Sequence, residues 1–357
     1  MNTNRMPALV LAAVGVALIV AGPLLPGGER AVVNDPPRTG HVTDLARADD
    51  GSILVGTQHG ELWRFADSTW GRIGINLDNQ PVMSLSADLA ADPRHGPIGT
   101  SGGLVNGPPA LRPVRQRVSD VIITSAGLVV ATGDGLLVQG DSTWRRQLAG
   151  VQVYRLGAQT VAGSDHLHAG TVNQGVFTAP VANLAAWSSD SVGLPEHSNV
   201  FTFAVTAGGR LIAGTDAGLY WQTAPMERWR PLRVGLEHDR MLSLYLQPAQ
   251  DGQQRLWIGS DKHLYRVDLK EDDGGVEALA YAAPMAGPDD GLRYGVSWIV
   301  PFADGVMFSA GSVYQFGRFG FAGWYWVSLL GLLLLLLGGR LFPPPQQDTP
   351  ARGLMAG

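Results

Sequence analysis

Two histidines and a twice-used tetrapeptide are the parts of this sequence whose residue types could do chemistry. Asp165-His166-Leu167-His168 sets two imidazoles two positions apart. On a β-strand that spacing turns both to one face, where they could share a metal ion. No third ligand accompanies them, so a hydrogen-bonded polar pair is the expected state and no metal or other cofactor is assigned. Asp-Ser-Thr-Trp occurs at 67–70 and again at 141–144. It carries a carboxylate, two hydroxyls and an indole, and reads either as paired site loops or as one structural part used twice. The chain has no Cys, which removes thiolate ligands, thiol nucleophiles and disulfides. Fragments such as Gly133-Asp134-Gly135 lack the strand–GxGxxG–helix setting of a nucleotide site.

The elements that must position these residues follow from the rest of the chain. Its 357 residues carry a net charge of −5, which argues against nucleic acid as the main partner. Charged residues are 16% of the total and glycines number 47, so tight turns should be frequent. Residues 7–26 and 323–339 hold no charge, and stretches of about 20 apolar residues span a bilayer core. Trp324, Tyr325 and Trp326 stand where an interfacial aromatic belt would. Arg5 precedes the first stretch, which is an uncleaved anchor or a signal peptide. Arg5, Arg340 and Arg352 flank the outer ends of the two stretches. Positive flanks stay in the cytoplasm, so both termini are expected inside, with 27–322 on the far side of a bacterial inner membrane, the periplasm or cell exterior. The Pro-rich tail reads as disordered.

Between these ends, short apolar runs stop at a small residue, turn and restart. The small residues are Gly56, Gly99, Ala131, Gly170, Gly214, Gly259 and Ser309, with steps of 43, 32, 39, 44, 45 and 50. A period near 40 with several short strands per unit is the pattern of a β-propeller. In the first unit, strands are expected at 42–48, 53–57, 61–65 and 69–74. Both Asp-Ser-Thr-Trp copies then bridge the third and fourth strands, and Trp187 and Trp229 stand at the same place in other units. The Trp is expected to pack between blades while Asp and Ser bond the hairpin backbone. That makes the tetrapeptide structural.

The Gly-Thr-x-x-Gly-Leu-Tyr turns resemble those of two-component-regulator propellers and of BNR-type propellers, including Ycf48-like photosystem assembly factors. The Asp-Ser-Thr-Trp hairpins resemble eroded Asp-boxes, lacking the preceding Ser and the Gly of S-x-D-x-G-x-T-W. The resemblance spans about 42–317 and implies a fold and a binding or assembly role. A sialidase would need three arginines and a Tyr–Glu pair on the funnel. Arg47, Arg115, Arg155, Arg210 and Arg293 are placed irregularly, and no Tyr–Glu arrangement stands out.

The seventh unit supplies only three strands. Residues 30–35 are the expected donor of its fourth, pairing antiparallel with 312–317, because closure from both ends removes the open edge. Strand directions then send the turns between second and third strands to the face away from both anchors. Gln58, His59, Asp134, Asn173, Gln174, Asp216, Asp261 and Lys262 lie there and are candidate partner-binding residues. Ala13, Ala17 and Ala21 recur at four-residue spacing on the first apolar stretch, a register that allows close helix contact, with Ser328 and Gly331 or with a helix of another protein.

The expected architecture is an all-β, seven-bladed β-propeller flanked by N- and C-terminal transmembrane helices. Residues 1–27 form the anchor, 28–41 a linker and ring-closing strand, 42–318 the propeller, 319–342 the second membrane helix and 343–357 a cytoplasmic tail. The expected function is a non-catalytic, protein-binding scaffold or assembly factor for a membrane complex. The rival readings are a hydrolase or lyase using the central funnel and an extracytoplasmic ligand sensor.

Overall fold

The computed structural model describes residues 6–25, 27–85, 96–248, 253–321 and 323–340. Arg5, Arg352 and the tail 343–357 lie outside the described residues. The chain forms two compact units, one of Ala31–Gly317 and one of the two terminal segments, Met1–Arg30 with Arg318–Gly357.

The larger unit is all-β, with seven sheets. After α1 (Met6–Ala21), strand β1 (Glu29–Val33) precedes the first sheet. That sheet is β2 (Val42–Arg47), β3 (Ile53–Thr57), β4 (Leu62–Ala66) and β5 (Thr69–Ile73), close to the expected strands. The second shows three strands among the described residues, β6 (Val82–Leu85), β7 (Ile98–Thr100) and β8 (Gly103–Val105). The third is β9 (Val118–Thr124), β10 (Gly127–Thr132), β11 (Gly135–Gln139) and β12 (Trp144–Gln147). The fourth is β13 (Val153–Val161), β14 (Ser164–Thr171), β15 (Val176–Pro180) and β16 (Ser188–Ser189). The fifth is β17 (Val200–Val205), β18 (Leu211–Thr215), β19 (Gly218–Gln222) and β20 (Arg230–Leu232). The sixth is β21 (Met241–Pro248), β22 (Gln254–Ser260), β23 (Leu264–Asp272) and β24 (Gly275–Ala278), with β25 (Ala283–Ala286) also on β23. The seventh is β26 (Trp298–Phe302), β27 (Gly305–Ser309) and β28 (Val313–Arg318), with β1 outermost beside β28. First strands touch in the order β2, β6, β9, β13, β17, β21, β26 and back to β2, which is a seven-bladed propeller.

The recurrent small residue has a steric cause. Gly56, Gly99, Ala131, Gly170, Gly214, Gly259 and Ser309 all fall in second strands and are buried. A Cβ on Gly99 would lie 2.7 Å from Val118 Cγ1, and one on Gly170 2.9 Å from Val200 Cγ1. Val118 and Val200 open the first strands of the following blades, so the small residue is the point where one blade seats against the next. The flanking Leu, Ile and Val are buried on both faces, as in β3, β18 and β27. That is why these strands read as unbroken apolar runs.

The ring closes through the last sheet. Asn34 N–H donates to Val313 O at 2.8 Å, and Val313 N–H donates to Asp35 Oδ1 at 2.6 Å. Because β1 fills the outer edge, β28 presents no open row of donors and acceptors. The chain enters this unit at Ala31 and leaves it at Gly317, at the end of β28 opposite the β27–β28 turn.

The smaller unit is a pair of antiparallel helices, α1 and α2 (Trp324–Arg340). A Cβ on Gly331 would lie 2.6 Å from Gly15 O, and one on Gly338 2.9 Å from Ala8 O. Ser328 Oγ donates to Ile19 O at 3.3 Å. The packed faces carry Ala8, Ala12, Gly15 and Ile19 on α1, with Gly22 in the turn just after it, and Ser328, Gly331, Leu335 and Gly338 on α2. Steps of four and three keep these residues on one side of each helix, and the glycines bring the backbones together.

Candidate functional site: the upper turns and the central channel

Several of the turns between second and third strands share one device. Thr132 Oγ1 donates to Gly135 O at 2.8 Å while accepting from Asp134 N–H at 3.1 Å. Thr215 does the same with Gly218 O and Ala217 N–H, at 2.9 and 3.0 Å. The third strand begins at Gly135 and Gly218 with φ of +91° and +93°, a region that favours glycine. The Gly-Thr-x-x-Gly motif is therefore a seat, a hydroxyl staple and a left-handed residue, in that order.

These turns share one face of the disc and present the expected residues. Gln58, His59, Asp134, Asn173, Gln174, Asp261 and Lys262 are exposed, and Asp216 is half-buried. Three also hold the ring together locally. Asp134 accepts from Gly150 N–H at 2.9 Å and pairs with Arg146. Asp216 accepts from Asn199 N–H at 3.1 Å, and Asn199 Oδ1 accepts from Asn173 N–H at 2.9 Å. On the helix pair, Ser328 and Gly331 lie in the contact, whereas Ala13, Ala17 and Ala21 are exposed. The glycines, not the alanine stripe, select the face that α2 covers.

Both Asp-Ser-Thr-Trp copies sit between third and fourth strands. Asp67 and Ser68, with φ of +49° and +61°, form the turn from β4 to β5. Two successive left-handed residues make a turn whose twist matches the flanking strands. Trp70 is half-buried, packs its ring tilted against Phe65 with centroids 4.9 Å apart, and donates through Nε1 to Asn34 Oδ1 at 3.2 Å. It thus joins the first blade to the segment that closes the seventh. Trp144 donates to Arg112 O at 2.9 Å. Trp229 is 1% exposed and donates to Asp190 O at 2.7 Å, tying the fifth blade to the fourth.

His168 is fully buried in β14. Its Nε2 lies 3.1 Å from Gln159 Oε1 and its Nδ1 2.8 Å from the Thr178 hydroxyl. Thr178 Oγ1 is also 2.9 Å from Asp190 Oδ2, which accepts from Gln222 Nε2 at 3.1 Å. Burial, reinforced by His166, holds the His168 imidazole down to about 3. This is a polar chain between blades, with His168 bound to side chains on both ring nitrogens.

The channel along the propeller axis is lined by residues that the sequence alone did not bring together. Opposite each second-strand small residue, the first strand carries Asp44, Ser84, Asp120, Arg155, Thr202, Ser243 or Trp298. Most of them bond the next blade. Asp44 accepts from Leu85 N–H, and Asp120 Oδ2 from Leu156 N–H at 2.8 Å. Ser84 donates to Asp120 Oδ1 at 2.9 Å, and Ser243 to Val296 O at 2.8 Å. Arg155 Nε donates to Phe201 O at 3.3 Å, and Trp298 Nε1 to Thr43 O at 3.0 Å. Burial pushes the Asp44 carboxyl up to about 8, against the pull of Arg155 and of the Leu45 and Leu85 N–H groups.

Arg155 reaches across the channel, its guanidinium carbon 3.9 Å from the centre of the Trp298 ring. The pair lines two cavities. One, of about 200 Å³, opens toward the upper turns through Gly133; the other, of about 360 Å³, lies among Arg47, Asp120, Ile123, Phe203 and Val300. A polar residue in the first strand, in register with the small residue of the second, was the available signal in the sequence. Among Arg47, Arg115, Arg155, Arg210 and Arg293, Arg155 and Arg47 line the channel, and Arg210 pairs with Glu271 at 3.0 Å.

No protein-family model matches the chain, and no curated protein sequence does. Its fold is shared with solved propellers. A structure of YCF48 bound to D1 peptide superposes with a TM-score of 0.55 at 13% identity, covering 83% of this chain and 99% of that one. The Cps50 (Swd1) β-propeller domain from Myceliophteria thermophila gives 0.54 at 14%, covering 80% and 99%. A chain of the mitotic checkpoint complex gives 0.56 at 15%, covering 82% and 94%. The resemblance to Ycf48-like propellers expected from the turns thus holds at the level of the fold, and at these identities the likeness is one of fold alone.

Proposed function

We propose that this protein is a membrane-anchored, extracytoplasmic propeller that acts without catalysis as a binding scaffold or assembly factor for a membrane protein complex. The observation that carries the reading is the surface of the helix pair. Its glycines and Ser328 are spent on each other, and the helices turn large apolar side chains outward. Val10, Val20, Leu330 and Leu336 are 57%, 61%, 52% and 58% exposed. Apolar side chains all round a helix suit lipid, not water. Pro7–Leu24 has a mean hydropathy of 2.3 and is long enough to cross a bilayer; Trp324–Arg340 is apolar but shorter. The protein-binding part of the reading is supported by the exposed upper turns on a rigid ring, and by a propeller of the same fold bound to a peptide.

The absence of Cys makes the test direct. In intact cells, a membrane-impermeant maleimide should label Lys262→Cys and leave Gly357→Cys unlabelled. The reverse pattern refutes the orientation. A photo-crosslinker at Gln174 or Lys262 should then capture a membrane protein. If crosslinks never exceed those from the opposite face, at Asp304, the upper turns are not the binding surface.

A further inference from the structure

We propose that the upper chamber of the central channel is a binding site for a small carboxylate with a short apolar stem, read by Arg155 and Arg117. The chain as a whole is acidic, at −5, yet this chamber has two arginines in its lining and no Asp or Glu. Both guanidinium groups have donors to spare. Arg155 spends Nε on Phe201 O, and neither of its terminal nitrogens makes a hydrogen bond among the described residues. Two carboxylates act on it, and both are committed elsewhere: Asp120, 3.8 Å from Nη1, to Ser84, Val121 and Leu156, and Asp44 to the Leu45 and Leu85 N–H groups. Arg117 is exposed and makes no ion pair among the described residues. The guanidinium carbon lies 3.9 Å from the centre of the Trp298 ring, and that cation–π contact, with the Nε bond to Phe201 O, restrains the fork. A fixed fork suits the two oxygens of a planar carboxylate, bound through parallel N–H···O contacts.

The rest of the chamber sets size and polarity. At about 200 Å³ it is smaller than sites for drug-sized ligands, which run from roughly 300 to 1,000 Å³. A ligand of few heavy atoms fits, whereas a folded segment does not. Met83, Tyr154, Leu242 and Trp298 supply apolar wall. Phosphate would gain nothing from that wall, and a carboxylate bearing one or two methylenes would. The carboxylate arrives either on a free metabolite or on an acidic side chain of a partner threaded into the mouth.

The test uses the full chain in mild detergent, with tryptophan replaced by 5-fluorotryptophan and the Trp298 resonance assigned from Trp298→Phe. Succinate, the blocked peptide acetyl-Gly-Asp-Gly-amide and inorganic phosphate are titrated separately. The expected result is a saturable shift of the Trp298 resonance with succinate or with the peptide, the two arms separating a free ligand from a partner's side chain. Arg155→Gln should abolish the shift, Arg155→Lys should weaken binding about tenfold by keeping the charge and losing the fork, and Arg117→Gln should weaken it severalfold. The proposal is overturned if neither carboxylate shifts the resonance, if phosphate binds as tightly, or if a folded Arg155→Gln protein binds as the parent does. Should the Arg155 variants fail to fold, an unchanged affinity in Arg117→Gln overturns it instead.

Discussion

Lowering the pH should loosen the junction between the fourth and fifth blades through His168. Its imidazole is fully buried and held down to about 3 from an ordinary value near 6.5. The folded state therefore disfavours the proton that the unfolded chain takes up. Stability is intact above pH 6.5 and falls as the pH drops from there toward 3. Each pH unit is worth about 1.36 kcal/mol, so pH 5 should cost about 2 kcal/mol relative to pH 7. For a unit the size of Ala31–Gly317 that is about 3 °C in Tm. Other groups titrate too, so the comparison is with His168→Gln, which keeps one donor and one acceptor and does not ionise. Tryptophan fluorescence melts at pH 7 and pH 5 should show the parent losing about 3 °C more than the variant. The competing force is Asp190, which sits one hydroxyl away through Thr178 and would favour the imidazolium. If the parent gains stability relative to His168→Gln on acidification, that carboxylate outweighs burial, and the reasoning fails.

Trp229→Ala should cost about 3–5 kcal/mol by thermal or denaturant unfolding, because the indole is fully buried and bonded to Asp190 O. Trp70→Ala, at a half-buried position, should cost only about 1–3 kcal/mol, and equal losses at the two sites would argue against burial as the cause. Gly170→Val forces side-chain atoms into Val200 and should destabilise by at least about 1–3 kcal/mol in the same melts, while Ala131→Gly, at the equivalent seat, should be far milder. Deleting 30–35 exposes the edge of β28 and should lower Tm by several degrees and promote oligomers on gel filtration, whereas a deletion variant that melts like the parent would show that closure adds nothing. Gly331→Leu should separate α1 from α2, read as loss of a disulfide between cysteines placed at Ala12 and Gly338, with the propeller's melting unchanged.

The repeat was legible because its cause is local. A strand buried on both faces must be an apolar run, and a hydroxyl and a left-handed residue suit the hairpin after it, so Gly-Thr-x-x-Gly stands at 56–60, 99–103 and 214–218, with variants in other blades. The missing strand of the seventh unit was legible for a related reason: Ala31-Val32-Val33 before Pro36-Pro37 has strand composition and a stop, and an edge strand needs a partner. The Asp-Ser-Thr-Trp turns were legible as structure because their place in the unit is fixed by strand count. What tertiary structure alone decided is what meets across blades. Asp44, Ser84, Asp120 and Arg155 are far apart in sequence and unlike in type, and only the ring makes them neighbours on one axis. The same holds for Trp298, whose ring meets the Arg155 guanidinium although 143 positions separate them. The alanine stripe of α1 has regular spacing, but backbone approach at Gly15 and Gly22 chose the contact face. Spacing within a strand or helix is written in the chain, whereas the partner across a channel or a helix pair depends on how the folded elements close on one another.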